Sequence, residues 1–185
     1  MGSYAECQQL TAAELAALLH EPDEDKVRRF LADKRQADPG GYGNFDKNFG
    51  IVDGIIAPDE DAGAWTISEG GTPLGDVGFG YGAVRFVRPE EIGALLAWLE
   101  PIDRRAYWRR WCDAYGLDPG REPQPKDFER FDGTEEFASR EAFEAELKYR
   151  EYADGYEITG AIFDSLVGSL RRAAAAGDAL LFWIS

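Results

Sequence analysis

The chain has 185 residues, and 35 acidic side chains against 20 Lys and Arg give it a net charge of −15 and a sequence pI near 4.4. Apolar residues make up 44% and aromatic residues 13%, which excludes wholesale disorder. So negative an exterior repels phosphate backbones and anionic headgroups, so neither nucleic acid nor a membrane is an expected partner.

Residues 3–8 read as a short strand. The opening Met1-Gly2-Ser3-Tyr4-Ala5-Glu6 has neither a basic nor an apolar run, which predicts a cytoplasmic protein. Thr11-Ala12-Ala13-Glu14 is a capping box, with Leu10 and Leu15 at the staple positions, and predicts a helix from Ala12 to about His20. Pro22 interrupts it. Asp23-Glu24-Asp25 then opens a second helix, and Lys34 and Arg35 suit its last turn. Residues 38–43 read as a loop. Asp46 is placed to cap a helix carrying Phe49, Val52, Ile55 and Ile56. Residues 58–63 read as a second loop.

The clearest unit runs from 83 to 99. Ala83–Val87 is a strand by composition. Pro89 suits a first helical position, and Ile92, Leu95, Leu96 and Leu99 make one apolar face behind it. A helix from about Ile102 to Tyr115 sets Trp108, Trp111, Cys112 and Tyr115 on one side. Residues 116–133 read as a loop, rich in Gly and Pro. A charged helix, about Thr134–Ala153, follows. A separate one is striped by Ile162, Phe163, Leu166, Leu170 and Ala173, and Gly177 is placed to end it. The apolar run Ala179–Ile184 predicts a central strand buried on both faces.

The charge is concentrated. From Asn48 to Val84 there are six acids and no base, and from Arg121 to Glu157 twelve acids and six bases. The run from Gly75 to Gly82 lacks the spacing and the following helix of a phosphate loop, and reads as a bulged strand. The acidic run from Asp59 has Ala64 and Gly70 where a calcium loop needs Gly and Glu, so it reads as a solvated turn. His20 is the only histidine, and Cys7 and Cys112 stand in no metal or redox spacing. No catalytic residue, metal ligand or cofactor motif is identified. The arginines 104, 105, 109 and 110 lie among Tyr107, Trp108 and Trp111. They are expected to pair with the chain's own carboxylates while the Trp face enters the core; gripping an anion is the lesser reading.

Four segments carry a family resemblance. Met1-Gly2-Ser3-Tyr4 is followed by a helix, and Asp46-Lys47-Asn48-Phe49 is similar to an Asp-Lys-x-Trp helix start. Gly71-Thr72-Pro73-Leu74-Gly75 leads through Gly78–Phe86 to Pro89-Glu90-Glu91. Ala173–Leu180 closes the chain with helix and strand. In this order they resemble the YfbM-like family, a family of unknown function. The family's His and Leu-Leu-Thr-Gly end are absent from 50–56. The resemblance implies an α+β fold and supplies no activity.

The expected architecture is therefore α+β: a single compact domain over 1–185, with a small mixed sheet packed by several helices and an insertion at 116–148. The expected function is a non-catalytic acidic binding protein with a basic protein partner, such as an immunity protein or inhibitor. Asp59, Glu60, Asp61, Tyr149 and Tyr152 are its candidate contacts. The alternative is a small-molecule or catalytic cleft between 46–56 and 71–86, using Asp46, Lys47, Asp76, Tyr81 and Arg85.

Overall fold

A computed structural model describes residues 3–57, 65–124, Asp127 and 137–185. The chain opens with β1 (Ala5–Leu10), α1 (Ala12–His20) and α2 (Glu24–Ala37), then a 3-10 turn at Pro39–Gly41 and β2 (Tyr42–Asn44). It continues through α3 (Phe49–Ile56), the hairpin β3 (Thr72–Gly78) and β4 (Ala83–Val87), α4 (Pro89–Leu99) and α5 (Arg104–Tyr115). It ends in α6 (Arg140–Ala176) and β5 (Ala179–Ile184).

Local chemistry sets most helix ends where the sequence places them. The Thr11 hydroxyl accepts from the Glu14 amide, while the Glu14 carboxylate accepts from the Thr11 amide. Asp23 caps α2 by accepting from the Lys26 amide at 2.9 Å. Gly177 ends α6 in the left-handed region, at φ 68°.

Asp46 does not cap α3. Asn48 stands at that position, with no side-chain cap bond. Asp46 is held instead in the left-handed region (φ 56°), because the chain leaving β2 is still tied to β1. The Phe45 amide donates to the Ala5 carbonyl and the Ala5 amide to the Asp46 carbonyl.

The five strands run in the order β2-β1-β5-β4-β3, so the last strand is the central one. Its side chains alternate between two cores. Leu180 and Phe182 join the helices α3–α6, while Ala179, Leu181 and Trp183 join α1 and α2. Burying each large apolar side chain is worth about 1.5–3 kcal/mol, so the double burial makes β5 the keel of a three-layer α+β domain.

The sheet is antiparallel at every pairing and not mixed. The strands β1 and β4, which run the same way, are kept apart by β5 inserted antiparallel between them.

Two further differences from the sequence expectation have tertiary causes. The two helices read at 134–153 and 162–176 join in one, α6, of 37 residues from Arg140, while 134–136 lie outside the described residues. Two glycines within it, Gly155 and Gly160, serve close packing against α5. A Cβ at Gly155 would lie 3.1 Å from the Trp111 ring, and one at Gly160 would lie 1.4 Å from Arg104 Nη1. The strand β3 also extends the 83–87 strand into a hairpin whose register shifts between Pro73 and Gly78, the bulge expected of the glycine run.

Candidate functional site

Reactive chemistry is poorly provided for among the described residues. Burial pushes the Cys7 thiol up to about 12 and the Cys112 thiol up to about 11, so both stay protonated and unreactive at neutral pH. His20 is exposed at the end of α1. No group of three or more His, Cys, Asp or Glu among the described residues is arranged to hold a metal ion.

Of the three carboxylates buried among the described residues, Glu6, Asp53 and Asp127, two anchor the sheet and its neighbouring turn. On α3, Asp53 accepts from the Ile67 amide, from the Ser68 amide at 3.0 Å and from the Ser68 hydroxyl at 2.6 Å. Burial outweighs these donors and holds its carboxyl above the usual range. On β1, Glu6 accepts from the Tyr42 hydroxyl, and from Trp183 Nε1–H and the Ser185 hydroxyl at 2.8 Å each. Arg35 lies 3.5 Å away. Burial and the Glu6 charge push the Tyr42 phenol up to about 12. A small cavity of about 230 Å³ under α2 borders this cluster. All Glu6 contacts join β1 to β2, α2 and the last strand, so the cluster ties the C-terminal strand in place.

The five candidate cleft residues lie apart. Asp46 and Lys47 are exposed beyond β2, at one edge of the sheet. Asp76 is exposed on β3, the opposite edge, and Tyr81 in the hairpin turn is 60% exposed. Arg85 on β4 is half-buried and donates to the Gly71 carbonyl at 3.1 Å. None of the five lines either main cavity.

Of the candidate partner contacts, Asp59, Glu60 and Asp61 lie outside the described residues. Tyr149 is buried edge-on against Trp108, with its hydroxyl donating to the Arg121 carbonyl. Tyr152 is half-buried beside Tyr115. Both therefore sit on the flank of α6 that meets α5.

The solvent side of α6 is different. Leu147 and Ile158 are 49% and 43% exposed, and Glu151 and Asp154 stand exposed between them. Spacings of four, three and four put these residues in one stripe along the helix.

The arginine helix α5 mostly satisfies its own charges, as expected. Arg104 pairs with Glu157 and Asp164, and Arg105 with Glu122. Arg110 donates to the carbonyls of Ile55 and Ile56, closing the C-terminal end of α3. Trp108 and Trp111 are buried in the core. A cavity of about 840 Å³ opens between the start of α5, residues 119–124 and the middle of α6. No helix of the described residues is long and apolar enough to cross a membrane.

Residues 1–114 match DUF1877, described as a domain of unknown function. The chain belongs to this family. Among solved structures, this DUF1877 chain is similar to YfbM from Escherichia coli, itself described as a protein of unknown function. The two share 15% identity and a TM-score of 0.58, over 98% of this chain and 99% of that one. At that identity the likeness establishes the fold alone. No curated protein sequence matches the chain.

Proposed function

We propose that this DUF1877 protein is a non-catalytic cytoplasmic binding protein that takes a basic protein partner on the outer face of α6. An immunity protein or inhibitor covering a cationic toxin or enzyme is the concrete form. The observation that carries the reading is the exposed stripe Leu147, Glu151, Asp154 and Ile158. Two aliphatic side chains give a contact a water-excluding centre, and the acids between them set its register. The net charge of −15 draws a basic partner toward that stripe before contact. The shielding of both thiols favours binding over turnover.

The test is capture from native-host extract by the wild-type chain and by an E151K/D154K variant, with the retained proteins identified by mass spectrometry. Both changes are exposed and use a good helix former, so folding is preserved. A basic protein retained by the wild type and lost with the variant supports the reading. Retention of the same proteins by both, or of no basic protein, overturns it.

A further inference from the structure

The cavity between α5, residues 119–124 and α6 is lined by Arg104, Arg105 and Arg121 against two acids, Glu122 and Glu157. Asp127, Glu146 and Asp164, behind the lining, also pair with these arginines. The cavity volume of about 840 Å³ suits a small molecule.

The ion pairs around it are of two kinds. Arg121 grips Glu146 through two bonds of 2.7 and 2.9 Å, and the Glu146 side chain is 18% exposed. The Arg121 guanidinium also lies 3.5 Å over the Tyr149 ring, so it is fixed in place. The other pairs are longer. Arg104 reaches Glu157 and Asp164 at 3.3 Å each, Arg105 reaches Glu122 at 3.4 Å, and Arg121 reaches the buried Asp127 at 3.4 Å. Charge-assisted bonds at full strength run about 2.7–2.9 Å, so the half-exposed Glu122 and Glu157 are loosely held and exchangeable. Among the described residues, Trp108 Nε1–H and Arg104 Nη1 are shut off from water without a hydrogen-bond partner. Arg104 Nη1 packs against Gly160, outside the lining, while Trp108 lines the cavity and is 1% exposed. An unmade buried donor costs about 1–3 kcal/mol, which an acceptor reaching Trp108 Nε1 would recover.

We propose that this cavity binds a small organic anion, carrying a phosphate or carboxylate group, that displaces Glu122 from Arg105 and Glu157 from Arg104. Among the described residues every cation in the lining is an arginine, whose planar fork matches such groups through two parallel bonds. Gly160 sets the position of Arg104, because a Cβ there would lie 1.4 Å from Nη1. The site is independent of the outer stripe of α6 and does not need a protein partner.

The probes are inorganic pyrophosphate and citrate, titrated into the whole chain at constant ionic strength. Calorimetry and the Trp108 indole N–H resonance, assigned with W108F, report binding. The expected result is saturable binding of at least one probe with a shift of that resonance. R105A weakens it about tenfold, the loss of one charged bond pair. G160A weakens it similarly by displacing Arg104, while the thermal midpoint holds or rises, since Ala is the better helix former. E122Q tightens binding by freeing Arg105. The proposal is overturned if neither probe saturates, or if binding survives both R105A and G160A unchanged. Pyrophosphate and citrate separate a phosphate ligand from a carboxylate one.

Discussion

Asp53 holds the turn that leads into β3 with a single carboxylate, through the donors Ile67 N–H, Ser68 N–H and Ser68 O–H. Asp53→Ala leaves buried donors unpaired and is expected to cost about 3 kcal/mol in urea unfolding. The pH response of this residue runs opposite to that of Glu146. Burial raises the Asp53 carboxyl above its ordinary 3.8, so its contribution to stability is full below that value and is lost as pH rises through the raised one. The Arg121 fork lowers Glu146 below its ordinary 4.5, so its contribution is present above 4.5 and is lost as pH falls through the lowered value. Thermal midpoints followed between about pH 3 and 6 separate the two. D53N removes the Asp53 titration and flattens the pH dependence, but it lowers stability throughout because its NH2 group faces a buried donor, and E146Q removes part of the acid-side loss. Neither residue is prominent in the sequence. Asp53 and Glu146 are two acids among 35, and their partners lie 14 and 25 residues away. Glu6 is hidden for the same reason, since the charge of a strand residue reads as solvent-facing until Trp183, 177 residues on, is brought beside it.

The helices were legible where their ends are local chemistry. The capping box at Thr11, the cap at Asp23, Pro89 at the start of α4 and Gly177 at the end of α6 each act within four residues of themselves. The central strand β5 was legible because burial on both faces leaves an unbroken apolar run. What escaped is set by distant packing or by edges. The edge strand β2, Tyr42-Gly43-Asn44, has too little side chain to show a period. The reason for Gly155 and Gly160 in α6, the Trp111 ring and the Arg104 guanidinium, belongs to α5. Two outcomes follow at this scale. Gly155→Leu overpacks Trp111 and is expected to destabilise by about 1–3 kcal/mol despite the better helix propensity. Leu180→Ala, in a fully buried position of the keel, is expected to cost about 2–5 kcal/mol. Chemical denaturation of each variant measures both.

At the scale of the whole molecule, a charge of −15 is both a cost and a means of recognition. Self-repulsion opposes the compact state and is screened by salt, so the thermal midpoint is expected to rise as sodium chloride is added from low ionic strength. A midpoint that falls with salt would mean that the ion pairs between α5, α6 and the 119–124 segment outweigh the repulsion. The same field should govern association. The most direct measurement is the association rate of the captured basic partner, by stopped flow, as ionic strength rises from about 0.05 to 0.5 M. The rate for the wild-type chain is predicted to fall steeply with salt, and that for E151K/D154K to start lower and fall less. A wild-type rate indifferent to salt, or equal for the two proteins at every salt concentration, would contradict the account.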